Sequence, residues 1–223
     1  MRTQKKQSAG LAAPAEQSTR MRILDVAEVL FAERGVDAVS IREITSKAKV
    51  NAAAAHYHFG SKQAILEELF ALRAKPIADK RMALLEGVRL DDEGRPVLED
   101  VLRAFLLPAL QVPAPSAGGS FTVLRARIVF ERQEVRRAAV WKIFDESTKK
   151  TVELLALALP LLSPDELYWR FHFLLGAMMY TMAASGRIDA VADGQIDTSD
   201  PSKALEELTH FAASGFRSGS RAP

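Results

Sequence analysis

The chain has 223 residues, 48% of them hydrophobic and 26% charged, with no cysteine and a formal net charge of +2. That balance fits a globular protein with one well-packed core, or a small domain joined to a larger one. It excludes disulfides, thiolate metal sites and cysteine nucleophiles.

Residues 1–17 mix Ser, Gln, Ala, Gly and Pro with Arg2, Lys5 and Lys6 and show no periodicity, which predicts a disordered basic arm. The segment Met1 to Ser8 lacks the apolar stretch of a signal peptide. No apolar run reaches the ~18–20 residues of a membrane span; Phe171 to Ala184 falls short and contains His172. A cytoplasmic protein with no membrane partner is expected. A first helix is predicted from about Thr19 to Arg34, because Ile23, Leu24, Ala27, Leu30 and Phe31 share one face of a 3.6-residue repeat and Gly35 follows as a stop.

Ser40 and Glu43 have the spacing of a capping box, so a second helix opens at Ile41 with Ile44 and Ala48 on one face. After Lys49 and Val50, Asn51 can cap a third, short helix that ends before Gly60. Two short helices across a tight turn make a helix-turn-helix, whose second helix enters the DNA major groove. Ala48 is small where the helices approach, and Val50 can plug the gap beneath the turn. Ala52, Ala53, His56 and Tyr57 then point outward and do not belong together in a core. Residues 1–75 carry 12 Lys and Arg against 8 Asp and Glu, so the basic excess sits where a phosphate-binding module needs it.

Ser61 caps a long helix reaching about Gly87, with Ile65, Leu66, Leu69, Phe70 and Leu72 near its start and Pro76 expected to kink or split it. Asp91 to Pro96 reads as a polar turn, Pro96 to Leu110 as a helix, and Pro113 to Ser120 as a loop. Helical patterns resume over Phe121 to Gln133 and Arg136 to Leu159. Ser163, Pro164 and Glu166 give a strong start signal for a helix running to about Ser185, with Gly186 as its stop. Asp200 and Pro201 open the last helix, which fades near Phe216.

The predicted fold is therefore all-α. It comprises an N-terminal helix-turn-helix DNA-binding domain over residues 18–75, a helical ligand-binding and dimerisation domain over 76–218, and a disordered tail over 219–223. Leu154 to Leu159 and Phe171 to Tyr180 are apolar nearly all round and must be buried on more than one side. Self-association of the C-terminal helices as a two-fold bundle would cover them; a wholly intramolecular core is the alternative.

Thr19 to Ser40, the helix-turn-helix, and the run Tyr57-His58-Phe59-Gly60-Ser61-Lys62 together resemble the TetR family of bacterial transcriptional regulators, densely over Thr19 to Phe70. Val50 to Lys62 and Leu162 to Ala177 are similar to the PsrA-type branch, whose members are associated with repression relieved by fatty acids or their derivatives. The resemblance implies a homodimer whose two heads read half-sites of a palindromic double-stranded operator. A small hydrophobic effector among the C-terminal helices would change the head separation. Half-sites must match a helical repeat of about 34–36 Å, so a small change is enough to break the fit.

The resemblance also gives roles to single residues. Arg42 can reach a base edge, where a guanidinium suits guanine O6 and N7; a phosphate contact or an ion pair with Glu43 is the alternative. Tyr57 and Lys62 match positions that hold the DNA backbone, Ser40 can cap and touch phosphate at once, and Thr45 is a further phosphate candidate. His56 is the long polar side chain of the second helix aimed at bases, with Asn51, Ala52 and Ala53 beside it; the two alanines offer methyl contacts suited to thymine. A metal site from His56 and His58 is not expected, because i and i+2 diverge by about 200° on a helix. Lys49 stands where the family usually has glycine, so a positive φ there would cost of order 1 kcal/mol; its charge beside the groove could offset this by attracting phosphate. Ala55 lies where a larger aliphatic usually anchors the helix. With so few polar groups facing bases, much of the specificity is expected from DNA shape and backbone fit.

Candidates for the effector pocket are Phe105, Phe121, Leu124, Trp169, Phe173, Met178 and Tyr180, each of which could equally be core. Met178, Met179 and Met182 would suit a flexible acyl chain, and Arg127, Arg170 or His172 could meet a carboxylate. No cofactor or metal is implied. An enzyme finds no support, since the sequence holds no glycine-rich phosphate loop, metal-ligand cluster or nucleophile elbow. A helical DNA-binding adaptor or architectural dimer without a ligand remains the rival reading.

Overall fold

A computed structural model describes residues 14–111, 120–129, 142–183 and 186–219, with the backbone alone for 14–17. Among them are ten helices: α1 (Pro14–Arg34), α2 (Ile41–Lys47), α3 (Ala52–Phe59), α4 (Lys62–Glu86), α5 (Leu98–Leu110), α6 (Ser120–Ile128), α7 (Lys142–Ala158), α8 (Pro164–Met182), α9 (Arg187–Val191) and α10 (Pro201–Arg217). No strand occurs among the described residues, where Leu90 and Pro96 form an isolated bridge across the polar turn. The protein is all-α. The expected disordered arm is corrected at 14–17, which form the start of α1; its residues 1–13, the loop residues 113–119, the ends of the two helices expected to meet within 130–141 and 220–223 of the expected tail lie outside the described residues.

Two cores organise the chain. The first gathers Ile23, Leu24, Leu30 and Phe31 of α1, Ile44 of α2, Ala55 and Phe59 of α3 and Ile65 to Phe70 of α4, and then takes in Phe121, Leu124 and Ile128 of α6. The second joins Leu85 of α4 and Ala126 of α6 to the buried faces of α5, α7, α8 and α10. Both α4 and α6 therefore belong to two cores at once, and a boundary between residues 75 and 76 falls inside a continuous helix. Pro76 does not split α4. Its ring is exposed, as is Leu72 four residues earlier, so the carbonyl that loses its N–H partner lies on the solvent side, where water can supply the bond.

Local chemistry fixes the helix ends. Ser163 and Glu166 form a reciprocal capping box at α8. Asp200 accepts from the backbone N–H groups of Ser202 and Lys203 at α10, with Pro201 in the first turn. In α10, Leu205, Leu208, Thr209, Ala212, Ala213 and Phe216 are buried, the stripe of an amphipathic helix. Helix α8 ends at Met182 rather than Ser185, and Gly186, with φ +62°, leads into the short α9, which no apolar periodicity announces.

The greasy helices are only half covered. Phe171, Leu174, Met178 and Met182 of α8 are buried, while Trp169, Phe173 and Tyr180 stand 55%, 64% and 56% exposed. Phe211 of α10 is 71% exposed on the neighbouring helix. Among the described residues no helix is long and apolar enough to cross a membrane.

Candidate nucleic-acid interface

Helix α2 starts at Ser40, whose Oγ accepts the Glu43 N–H at 3.2 Å. The other half of the expected capping box does not form. The Glu43 carboxylate pairs instead with Arg34, the last residue of α1, whose guanidinium also donates to Ala38 O at 3.1 Å. This ties α1 to α2 and leaves Arg42 exposed in the first turn, with Glu43 already occupied by another arginine.

The turn closes as the sequence requires. Lys49 adopts φ +55°, the left-handed conformation usually given to glycine. Val50 is half-buried against the first core, and its N–H donates to Thr45 O at 3.0 Å. Asn51 Oδ1 then accepts the Ala53 N–H at 3.0 Å and starts α3. Of the α3 side chains, Ala55 and Phe59 face the core, while Ala52, Ala53, His56 and Tyr57 are exposed, Tyr57 to 79%. Ala55 is 1% exposed, so its methyl is packed into the first core where the resemblance leads one to expect a larger aliphatic. His58 is half-buried, its ring edge-on to Tyr57 and Phe59. Among the described residues no group of three or more metal-ligating side chains comes together.

Two predicted backbone contacts need correction. Thr45 is 2% exposed and its hydroxyl donates to Arg42 O at 3.0 Å, so it is turned into the head and away from any phosphate. Lys62 extends beneath the head, where its ammonium donates to Val36 O at 2.7 Å, Val39 O at 2.9 Å and Asp37 O at 3.3 Å. An ammonium has three protons, and all three are used on the segment between α1 and α2. Lys62 therefore fixes the loop that aims α2, and contributes only its charge to the surface. The exposed set that remains, Ser40, Arg42, Lys49, Asn51, Ala52, Ala53, His56 and Tyr57, lies along the start of α2, the turn and the outer side of α3.

Arg127, considered above for a carboxylate ligand, instead donates from Nη1 to Ala32 O at 2.8 Å and Glu33 O at 2.7 Å. These carbonyls close the C-terminal end of α1, where a cation is favoured by unpaired acceptors and the helix dipole. The contact joins α6 to the head. Arg170 likewise donates to the Gly215, Phe216 and Ser218 carbonyls at the end of α10, and His172 is exposed. A basic residue two or three turns from an apolar cluster carries no sequence signal for such long-range caps.

The structure does not bring the seven pocket candidates together. Phe121 meets Phe70 edge-on at 5.1 Å in the first core, beside Leu124. Phe105 and Met178 are in the second core, Phe105 5.3 Å from Phe171. Trp169, Phe173 and Tyr180 are on the outer face. There, an open groove of ≈ 1070 Å³ runs between α8 and α10 past Trp169, Phe173 and Phe211, and a smaller one of ≈ 310 Å³ continues past Tyr180, Ile188 and Lys203.

Residues 23–69 match the family model for bacterial regulatory proteins of the tetR family, and residues 103–215 match a tetracyclin repressor-like C-terminal domain. The HTH-type transcriptional repressor Rv3405c of Mycobacterium tuberculosis is 32% identical over 109 residues, which are 47% of this chain and 58% of that protein, so the match spans little more than half of the relative's length. Among solved structures, the fatty acid degradation regulator FadR from Bacillus halodurans superposes with a TM-score of 0.65 at 14% identity, covering 94% of this chain and all (100%) of that one. The transcriptional regulator FadR from Bacillus subtilis, solved in complex with stearoyl-CoA, gives a TM-score of 0.56 at 16% identity, covering 87% of this chain and 98% of that one. With its head and its C-terminal helices each matched by a family model, this chain belongs to the TetR family of bacterial regulatory proteins.

Proposed function

We propose that the chain is a homodimeric transcriptional repressor that binds a palindromic operator and leaves it when a small hydrophobic effector binds among the C-terminal helices. The observation that carries this reading is the outer side of α3. Ala52, Ala53, His56 and Tyr57 are all exposed on a short helix whose opposite side, Ala55 and Phe59, is anchored in the head. In the complex, α3 lies in the major groove, with Arg42 at a base edge and Ser40, Tyr57 and Lys49 along the backbone. Dimerisation covers Trp169, Phe173, Tyr180 and Phe211, four large side chains each more than half exposed on adjoining helices.

The effector is an acyl acid or acyl derivative. The resemblance of residues 162–177 to the PsrA-type branch supports this, and a protein of the same fold holds stearoyl-CoA. Selection of bound sequences from a random duplex pool at low ionic strength tests the whole reading. A palindrome should emerge, and long-chain acids or acyl thioesters should dissolve the complex. Recovery of no preferred duplex would end the regulator reading.

A further inference from the structure

The C-terminal part buries two cations and, among the described residues, no acid to match them. Arg81 of α4 is 2% exposed and Arg125 of α6 is 4% exposed. The Arg81 Nε donates to Phe105 O at 3.1 Å. Its guanidinium lies 4.2 Å from the centre of the Phe105 ring and 5.4 Å from that of Phe144, and the Arg125 guanidinium is 5.0 Å from the same Phe144 ring. Among the described residues, Arg81 Nη2 and Arg125 Nη1 have no hydrogen-bond partner. By contrast, Arg20, Arg34, Arg73, Arg89, Arg95, Arg170 and Arg217 all meet carboxylates.

Aromatic ring faces attract cations but do not satisfy N–H donors. Burial, helped by the neighbouring Arg125, lowers the pKa of Arg81 to about 9, and burial alone lowers that of Arg125 to about 10. Both therefore keep their charge at neutral pH. Folded proteins normally pair such groups, because an uncompensated buried charge is strongly destabilising. A site that concentrates positive charge, spare donors and aromatic walls is completed by an anion.

We infer that Arg81 and Arg125 together receive the head of an organic anion, a carboxylate or phosphate carried on an apolar body. The planar guanidinium fork fits either head, with two N–H groups presented to two oxygens. Phe105, Phe144 and Phe171 supply apolar surface for the body. The location also suits a switch. Arg81 and Arg125 sit on α4 and α6, the two helices that continue into the head core, and Arg127, two residues beyond Arg125, holds the end of α1. An anion drawing the two guanidiniums toward one head group acts on both helices at once.

The inference rests on the proposed ligand-responsive role, and the test separates the two. Full-length protein is titrated with sodium dodecanoate, dodecyl phosphate and the neutral methyl dodecanoate, each below its micelle concentration, while thermal unfolding and release of the selected duplex are followed. One of the two anions should raise the Tm by about 5–10 °C at a hundredfold excess over half-saturation. The ester should bind at least about tenfold more weakly, having no charge to pair. Dodecanoate acting alone assigns a carboxylate head, and dodecyl phosphate acting alone a phosphate head. Arg81→Met and Arg125→Met should fold and bind the duplex yet no longer distinguish acid from ester. Should either variant fail to fold, the comparison of acid with ester on the natural chain decides alone. Equal effects of anion and ester, no Tm change with any probe, or a preserved preference in the variants would overturn the inference. A duplex bound but indifferent to all probes, with no Tm change, overturns this inference alone. Anion-selective stabilisation without duplex binding overturns the regulator reading and leaves the anion site standing.

Discussion

Lys49 shows how one residue can be read for both cost and use. A non-glycine residue in the left-handed region costs about 1–2 kcal/mol, and glycine gives back about 0.5–1 kcal/mol through its freer unfolded chain. Lys49→Gly should therefore stabilise the protein by about 0.5–1 kcal/mol in urea unfolding, while weakening duplex binding through loss of a cation beside the groove. Arg42 and Tyr57 should separate by kind of effect. Arg42→Ala should cost about 1–3 kcal/mol and relax preference at one position of a half-site scan. Tyr57→Phe should weaken all sequences alike by about 1 kcal/mol, as expected for one hydrogen bond to the backbone. Arg81 makes a pH-dependent prediction. Its pKa in the folded chain, about 9, lies well below the ordinary guanidinium value, so between the two the unfolded state binds more protons and stability rises with pH. Below pH 9 the penalty is present in full. Without ligand, Arg81→Met should thus be more stable than the natural chain by about 1–3 kcal/mol at neutral pH, and the advantage should shrink as pH climbs above 9 in denaturant titrations.

Among the elements, α1 has its last turn and the segment after it held from three directions. Arg127 of α6 caps its last carbonyls, Lys62 of α4 takes the three carbonyls that follow, and Arg34 pairs with Glu43 of α2. The head is therefore oriented by cations reaching in from α4 and α6 as much as by its own apolar contacts. Arg127→Met removes one of these grips. Because the side chain is largely exposed, the loss of stability should be modest, about 1 kcal/mol. The larger effect should be on coupling. Hydrogen exchange at the end of α1 should quicken, and the effector concentration that releases half the duplex should rise, while duplex affinity without effector changes little. An unchanged release curve would mean that signals reach the head by α4 alone.

For the whole molecule, the decisive surface is the face shared by α8 and α10. Its grooves and its exposed aromatics are features that a water-soluble monomer would not normally leave open. Phe173→Glu places a charge in the middle of that face. The variant should elute as a monomer at micromolar concentration and should lose palindrome binding, since a single head holds half the contacts, while its helical circular dichroism is kept. A monomeric natural chain at the same concentration would remove the basis for two-headed operator recognition.

Much of this protein could be read from short stretches. Ser40, Asn51, Ser61, Ser163 and Asp200 announce helix starts because a side-chain oxygen two or three residues before an N–H is a local relation, and α2, α3, α4, α8 and α10 all begin there. The outward residues of α3 were legible for the same reason, since periodicity assigns a face without knowledge of the partner. Tertiary structure alone decided the destinations of long charged side chains. Lys62 looked like a phosphate ligand, Arg127 like a carboxylate ligand and Glu43 like half of a capping box, yet each is committed to a group 9 to 95 residues away. Arg81 falls four residues from both Ile77 and Leu85 on an apolar stripe, a hint that a charge is buried. That Arg125 arrives beside it from another helix, with no acid in attendance among the described residues, is a meeting that only packing can arrange. Sequence sets what a residue can do within a turn of helix; distance in the folded chain sets whom it does it with.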